Sequence, residues 1–531
     1  MKKCIQKMVS VVNVVVLILV LALVLTGCGG GTPKNPATKA DSGKPQAGGT
    51  LKVAVGTVSS LDPQMEAADE PMSRHIFETP LALDENGAVQ TGLCTYKYSD
   101  DKKILTLILR DGVKFHNGNS VKAEDVVASI SRWANKVSFG KAYVGRYLDS
   151  ISAIDDKTIV IKFKSIAGQA TTALAYEYMG AYVMPKAICD AYPNSPITDT
   201  SKIIGTGPYK LVEWKQDAYV MTERFAEYKA TGNTCGGPAG NKYAYADKIG
   251  FYFVKDMDAK VNGVVSGAYD YVRTVDNSVY SSMKGDPNVK FELIQDGAKP
   301  SLVFNNKQGP AANQKFRQAV LASLDMDAIM KAAFGTSELY DLTGSWAPIG
   351  SMYEYSNDKY NKPDMAKAKQ LLKESGYNGE KVVYITSQDV AYYYQTALMV
   401  SNKMKELGVN VDLQVMDQAT LYTVRKDPAK YDLFAVGFTA KADPAMMAFI
   451  DDSWPGNWVS APKTVLMGKM AIAVDAAQKK ELWRQMTDLI YQEVPVITFG
   501  ERRNGVLLSS RVNNARYFGS EPYYWNIWLS K

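Results

Sequence analysis

Alternating apolar and polar residues predict short strands along the chain, and apolar residues at helical spacing predict helices between them. The predicted strands are residues 51–55, 104–109, 110–115, 151–154, 158–163, 210–214, 381–386, 409–416 and 431–438. The predicted helices are residues 72–79, 121–136, 316–334, 365–375, 392–407 and 479–493. Because strand and helix alternate most regularly after residue 300, the pattern indicates a mixed α/β protein.

Short polar segments predict how some of these elements begin and connect. Residues 104–109 and 110–115 are predicted to be two strands of a hairpin that turns about the Asp-Gly pair at residues 111–112. A second hairpin is predicted within residues 151–163. Ser120 precedes the helix at 121–136 and is a candidate N-cap.

The first 28 residues have the pattern of an export signal. Three lysines precede an almost wholly apolar run at residues 9–25, which leads into the sequence Leu-Thr-Gly-Cys at residues 25–28. This order predicts a signal peptide at residues 1–27. The Leu-x-Gly-Cys ending resembles the bacterial lipobox, which implies that Cys28 is diacylated and becomes the new N-terminus. The alternative is an uncleaved membrane anchor, since the run approaches the length of a bilayer span.

Residues 28–47 are rich in Gly, Pro, Ala, Thr, Ser and Lys, which cannot bury apolar surface. They predict a flexible tether between the lipid on Cys28 and a folded body. Two acyl chains anchor a protein stably where one does not. The expected location is therefore extracytoplasmic, with the protein lipid-anchored to the cell membrane at its periplasmic face or at the cell surface.

Length and charge narrow the possible classes of function. The chain has 531 residues, 46% of them hydrophobic and 22% charged, which is enough for about three globular domains. Its formal net charge is +6, and three of the positive charges lie in the predicted signal peptide. The net positive charge of the rest of the chain is too small to indicate a nucleic-acid partner.

Histidines and cysteines limit the chemistry further. The chain has two histidines, His75 and His116, so a His-rich metal site is excluded, and we predict neither a metal nor a cofactor. We expect both histidines to have structural roles, because no nucleophile and base accompany them. After removal of the signal peptide and the lipid cysteine, Cys94, Cys189 and Cys235 remain, and they allow at most one disulfide.

Several short motifs follow one another over nearly all of the expected mature chain. They are GGTLKVA at 48–54, SLDP at 60–63, LRDGVKFHNG at 109–118, AEDV at 123–126, GTGPY at 205–209, FRQAV at 316–320, AKAKQLLKESG at 366–376 and YDL at 431–433. In this order they resemble the extracellular solute-binding proteins of family 5, the peptide-binding subunits of bacterial ATP-driven importers.

The resemblance implies a two-lobed periplasmic-binding-protein type II fold of the large, three-domain kind. Domain I would comprise residues 48–76, 205–300 and 505–531, domain II residues 77–204, and domain III residues 301–504. A ligand would bind between domains I and III and would be buried by hinge closure. The resemblance also implies a monomer whose partner is the membrane permease of an ABC importer.

Two loops and one aromatic residue are the candidate ligand contacts. They are Ala68, Asp69, Glu70, Phe438, Thr439, Ala440, Lys441, Asp443 and Trp454. The resemblance implies that the second loop holds the α-amino group of a peptide with a carboxylate. Ala440 and Lys441 occupy the vicinity of that acid, so Asp69, Glu70 and Asp443 are the alternatives.

Short peptides are the expected ligands. A non-peptide solute, such as an oligosaccharide, an opine-like conjugate or chelated nickel, is the alternative for the same receptor. A secreted hydrolase is the third hypothesis, but the chain has no Gly-x-Ser-x-Gly, His-Glu-x-x-His or Walker sequence. Gly205 and Gly207 precede a predicted strand and Lys210 stands where a third glycine would be, so a dinucleotide site is not expected. We therefore predict a binding protein without enzymatic activity.

Overall fold

A computed structural model describes residues 43–66, 70–275, 277–519 and 521–531, and the description of the fold concerns these residues. Its largest sheet has eight strands that come from distant parts of the chain. Across the sheet their order is Val289–Gln295, Glu501–Ser509, Tyr271–Val275, Thr50–Val55, Lys248–Phe253, Tyr219–Arg224 and Tyr209–Lys215, and Tyr340–Asp341 pairs separately with Glu501–Ser509.

Two further sheets form the centres of separate cores. The five-stranded sheet has the order Val411–Met416, Val382–Ser387, Leu433–Thr439, Ala298–Phe304 and Val496–Thr498. The four-stranded sheet has the order Cys94–Tyr98, Ile104–Leu109, Thr158–Phe163 and Leu148–Ala153. Three two-stranded pairs complete the set, namely Leu81–Leu83 with Val89–Thr91, Val512–Asn513 with Trp528–Leu529, and Arg516–Phe518 with Glu521–Tyr523.

Helices cover the sheets, and several begin where an aspartate side chain accepts from a backbone N–H of the first turn, as Asp364 and Asp475 do. The α-helices are Glu70–Ile76, Ala123–Lys136, Ser138–Tyr143, Ala170–Ala175, Lys186–Ala191, Met257–Val265, Asn277–Met283, Gln314–Ser323, Met326–Phe334, Met365–Glu374, Ala391–Leu407, Gln418–Val424, Ala461–Ile472 and Ala476–Glu493. Short 3-10 helices lie at Gly145–Tyr147, Thr200–Lys202, Pro310–Ala312, Ser337–Leu339, Pro428–Lys430, Pro444–Met446 and Ala448–Ile450. None of these helices is both long and apolar enough to cross a membrane.

The predicted hairpin about residues 111–112 is wrong. The strand Ile104–Leu109 pairs with Cys94–Tyr98 on one edge and with Thr158–Phe163 on the other, so no edge is left for residues 110–115. Gly112 has a φ of 72° and turns the chain, and Lys114 then makes an isolated bridge with Ser120. The predicted hairpin within residues 151–163 is confirmed.

Two helix predictions need correction at their ends. The predicted helix 316–334 is two helices, because Leu324 is extended and the Asp325 carboxylate accepts from the N–H of Ala328 to start the second one. The helix predicted at 121–136 begins at Ala123, and its N-cap is Lys122 rather than Ser120. The remaining predicted strands and helices overlap observed ones.

The cysteines of the described residues form no disulfide. Cys94 and Cys189 are buried thiols, and Cys235 is half-buried. Burial raises the pKa of the Cys94 thiol to about 12 and that of Cys189 to about 11.

The large sheet and the five-stranded sheet are joined by two short crossings. Residues 296–297 connect the strands Val289–Gln295 and Ala298–Phe304, and residues 499–500 connect Val496–Thr498 and Glu501–Ser509. Each crossing is two residues long and leads directly from a strand of one sheet to a strand of the other.

Candidate functional site

A buried ion pair lies beside the two crossings. The Lys299 ammonium donates to the Glu501 carboxylate, and both side chains are fully buried. Burial raises the pKa of Glu501, and the positive charge of Lys299 opposes this rise. Lys299 lies in the strand that follows the first crossing and Glu501 in the strand that follows the second, so the pair ties the two sheets together beside the crossings.

The strand Leu433–Thr439 ends beside the first crossing and has one edge, the open edge, that is only partly paired with another strand. Its first edge pairs with Ala298–Phe304 along its full length. Its second edge pairs with Val382–Ser387 only at Leu433 and Phe434. From residue 435 to residue 439, no strand among the described residues pairs with that second edge. The Tyr393 hydroxyl bonds to the backbone of Gly437 in this stretch. Other backbone N–H and C=O groups on such an edge can pair with an extended peptide.

Aromatic side chains surround the open edge. A Cβ atom at Gly437 would lie 2.1 Å from the hydroxyl of Tyr392, so the close approach of this ring requires glycine. The Phe438 ring lies 5.2 Å from the Trp454 ring and 5.8 Å from the Trp346 ring, centroid to centroid. Two of the predicted contacts, Phe438 and Trp454, are therefore adjacent.

The loop after this strand touches three different parts of the protein. The Ala440 N–H donates to the carbonyl of Gly297 in the first crossing, at 2.8 Å. The Lys441 ammonium lies 4.5 Å from the centroid of the Tyr178 ring. Ala442 is buried in the core that includes Leu81. Thr439 is exposed at the end of the strand.

Asp443 is buried and engaged inside the protein. One carboxylate oxygen accepts from the N–H of Ala445, and the other lies 3.4 Å from the Lys479 ammonium. Burial raises the pKa of nearby Tyr143 to about 12, and the negative charge of Asp443 adds to this rise. The carboxylate thus starts the short helix Pro444–Met446 and holds the loop.

The segment before the first candidate loop is fixed by buried hydrogen bonds. Asp62 accepts from Arg132 and Lys136, and Gln64 donates to the carbonyls of Ser129 and Tyr182. Burial alone would raise the pKa of Asp62, but the hydrogen bonds and charge of Arg132 lower it below its usual value. Rigid attachment at residue 64 fixes where the following loop begins.

The first candidate loop is only partly covered by the structure. Ala68 and Asp69 lie outside the described residues, as does Cys28 with the signal peptide and most of the tether. Glu70 is the first residue of the helix Glu70–Ile76. The roles of all nine candidate contacts in ligand binding stay predictions.

Arg425 lies beside the candidate contact Trp454, and the sequence did not single it out. Its guanidinium lies 4.3 Å from the ring of Tyr422 and 5.5 Å from that of Trp454. Burial lowers the pKa of Arg425. Positions 425 and 454 have no sequence pattern that relates them, since they meet only when the five-stranded sheet has formed.

Both histidines have the structural roles that were expected. His116 bonds through Nε2 to the carbonyl of Gly207 and accepts the N–H of Gly205 at Nδ1. His75 bonds to the carbonyl of Pro71 and accepts the N–H of Tyr524. Burial lowers the pKa of His116 to about 4 and that of His75 well below its usual value. Each ring is therefore neutral and has both nitrogens bonded; His75 is buried, whereas His116 is half-buried.

Two cores joined by paired crossings are the two-lobed type II fold of the periplasmic-binding proteins, and the solved structures that resemble the chain have the same fold. Residues 88–458 match the family described as "Bacterial extracellular solute-binding proteins, family 5 Middle". The chain therefore belongs to this family. The fold predicted from the sequence is confirmed. Members of the family are binding proteins rather than enzymes.

Known proteins of this kind resemble the chain over most of its length. A probable peptide ABC transporter periplasmic-binding protein, y4tO of Sinorhizobium fredii, is 29% identical over 85% of this chain and 88% of its own. The solved ABC transporter substrate-binding protein CtaP of Listeria monocytogenes has a TM-score of 0.78 and 22% identity, covering 92% of this chain and 100% of its own. AgaA of A. tumefaciens R10, solved with agropinic acid, has a TM-score of 0.69 and 22% identity, covering 91% of this chain and 99% of its own.

Proposed function

We propose that this protein is the lipid-anchored receptor of an ABC importer and captures short peptides between two closing lobes. The observation that carries this proposal is the open edge of the strand Leu433–Thr439 beside the crossing at Gly297. An extended peptide would add to that edge as a further strand, so its backbone would supply most of the affinity. The name of the relative y4tO as a peptide transporter protein supports the same ligand class.

The ligand would be enclosed from two sides. Thr439, Ala440 and Lys441 would contact it from the five-stranded sheet, with Phe438 and Trp454 as the aromatic wall. The loop with Ala68, Asp69 and Glu70, which the sequence assigns to domain I, would contact it from the other side. Since a ligand that touches both sides binds the closed form better, it shifts the population towards closure, and the permease would bind that form.

We propose that Asp443 acts through the position of the loop rather than by contact with the ligand. Asp443 is 3% exposed, and its carboxylate already accepts from Ala445 and Lys479. Asp69 and Glu70 are then the proposed partners of a peptide amino group. The three domains proposed from the sequence, with boundaries at 76/77, 204/205, 300/301 and 504/505, place the two loops on domains I and III.

The N-terminal segment would keep the receptor at the membrane. Cleavage before Cys28 and diacylation of its thiol would leave residues 28–47 as a tether. A tether of this length lets the body move on the order of 25 Å from its anchor. Mass spectrometry of the membrane-extracted N-terminal peptide tests this step, and an unmodified Cys28 or an intact residue 1 would contradict it.

A non-peptide solute is the second candidate ligand. The observation in its favour is that the one acid of the loop 438–444 is paired with Lys479, while Lys441 adds a positive charge beside Tyr178. AgaA, whose fold is similar, was solved with agropinic acid. An anionic conjugate would suit such a loop better than the ammonium group of a peptide.

One experiment separates these candidates. The chain from Gly29 to Lys531 is purified, denatured, and its small molecules are identified by mass spectrometry. We expect a series of short peptides. A single sugar, conjugate or nickel chelate would contradict the peptide ligand and leave the receptor role in place. Conversion of an added peptide by the pure protein would instead support a hydrolase.

A further inference from the structure

Two hydrophobic cores of the protein meet at the end of a single helix. The core of the five-stranded sheet includes Met470 and Ala473, at the end of the helix Ala461–Ile472. The core of the four-stranded sheet includes Ala167 and Ala170. Residues 168–169 lie between these two alanines and so belong to the part of the protein built around the four-stranded sheet. The helix Ala461–Ile472 belongs to the part built around the five-stranded sheet.

The contact between them consists of hydrogen bonds to the end of the helix. The Gly168 N–H donates to the carbonyl of Ala471 at 2.7 Å, and Nε2 of Gln169 donates to the carbonyl of Met470 at 3.0 Å. The last carbonyls of a helix have no partner within the helix. Here a distant part of the chain supplies the partner of the Ala471 carbonyl and a second donor to the Met470 carbonyl, which also accepts from the N–H of Ala473.

Gly168 allows this approach because it has no side chain. A Cβ atom there would lie 2.6 Å from the carbonyl oxygen of Ala473 and 2.7 Å from that of Ala471. Both neighbours are backbone atoms, which cannot rotate away as a side chain can. The φ of Gly168 is not in the left-handed region, so alanine would fit its backbone conformation. The glycine is therefore required by the contact and not by a turn.

We propose that residues 168–169 are a latch that holds the two lobes closed by capping the helix Ala461–Ile472 across the interface. The latch goes beyond the proposed function, because it sets the balance of open and closed forms whatever the ligand is. The cores also meet where Ala442 and Met446 are buried in the core of the four-stranded sheet. The latch is a second point of contact, and neither Gly168 nor Gln169 belongs to the proposed ligand site.

Closure and affinity are linked through this contact. When the lobes separate, the carbonyls of Met470 and Ala471 exchange protein donors for water, so opening is favoured if the donors are removed. A ligand that needs the closed form binds with an apparent affinity proportional to the closed fraction. Residues distant from the ligand would thus tune how much ligand is retained.

Nitroxide labels on the two sides of the interface test the latch. Lys164 and Lys469 are exposed and lie on opposite sides, and each is replaced by cysteine in a Cys235→Ser chain from Gly29 to Lys531. Pulsed electron resonance then gives the distribution of distances between them. For the parent protein we expect a population at the short distance of the closed form.

Gly168→Ala should lower the ratio of short to long distances by about tenfold, since two hydrogen bonds are lost or strained. Gln169→Met, which keeps the side-chain length but not the donor, should act in the same direction and keeps the test valid if Gly168→Ala does not fold. Gly468→Ala is the matched control, because nothing lies within 4 Å of a Cβ atom on that exposed helical glycine. It should leave the distribution unchanged.

Three results would overturn the latch. The first is a parent protein without the short distance. The second is an unchanged distribution in both Gly168→Ala and Gln169→Met. The third is a Gly468→Ala control that changes the distribution as much as they do. Urea unfolding of each variant shows that a change in distance does not come from loss of a core.

Discussion

The ammonium of Lys479 lies 3.4 Å from the carboxylate of Asp443, and both side chains are buried. Lys479 is in the helix Ala476–Glu493, whereas Asp443 ends the loop that follows the open strand. The helix therefore fixes the loop through one pair of charges. This relationship is the basis of the proposal that Asp443 positions the loop and does not touch the ligand.

Asp443→Asn should lower the free energy of unfolding by about 3 kcal/mol, because it leaves the Lys479 ammonium buried without its partner. Lys479→Met in the same chain should restore most of this loss, since no buried charge then remains. Urea unfolding of the two single variants and the double variant measures the coupling.

Ligand affinity in the same three variants decides the role of Asp443. If Asp443 acts by position, the double variant should bind a co-purified ligand nearly as the parent does. An affinity that stays low in the stable double variant would show direct contact between Asp443 and the ligand.

Lys299→Met should destabilise the protein by about 3–5 kcal/mol at neutral pH, because it leaves the Glu501 carboxylate buried without its cation. Burial already raises the pKa of Glu501 above its usual value of 4.5, and in the variant no cation opposes it. A carboxyl group with a raised pKa in the folded state gives stability that is present below pH 4.5 and is lost as the pH rises through the raised value. Urea unfolding of Lys299→Met should therefore show a smaller deficit in acid than at neutral pH. A deficit independent of pH would contradict this assignment.

The parent protein should lose stability as the pH falls from 6.5 towards 4. The pKa of His116 is lowered to about 4 by burial, so the unfolded chain binds a proton in this range before the folded protein does. His116 accounts for about 3 kcal/mol of this loss of stability at the acid end of the range. His116→Gln keeps a donor for Gly207 and should remove that share of the loss. An unfolding free energy with the same pH dependence in both proteins would exclude a buried, neutral His116.

Thiol labelling should distinguish the three cysteines of the folded body. In the native chain from Gly29 onward, Cys235 should react with iodoacetamide, because it is half-buried. Cys94 and Cys189 should react only after denaturation, since burial keeps both thiols protonated and inaccessible. Peptide mapping by mass spectrometry gives the labelled positions. A disulfide between any two of them would contradict the structure.

Local patterns predicted part of the secondary structure, such as the strand at 158–163 and the helix at 392–407, but not the strands Ala298–Phe304 and Glu501–Ser509 beside the crossings. The motifs from residue 48 to residue 433 predicted the family. The strand at 104–109 shows what local patterns cannot predict. It pairs with a distant strand, Thr158–Phe163, and this pairing leaves no edge for the hairpin that the Asp-Gly turn indicated. The candidate loop was predicted as a segment, but the role of Asp443 was not. Its partner Lys479 is 36 residues away and enters through helix packing, which no local pattern contains.

The open edge of Leu433–Thr439 is the central claim for ligand binding, and backbone methylation of a ligand tests it most directly. A short peptide identified in the extract is resynthesised with single N-methyl groups, and each version is titrated by calorimetry into protein stripped of ligand. Strand addition predicts a 1:1 complex that loses at least about tenfold in affinity at alternate methylated positions, while side-chain substitutions have small effects. Equal binding of every methylated peptide, or no binding of any peptide, would contradict strand addition at this edge.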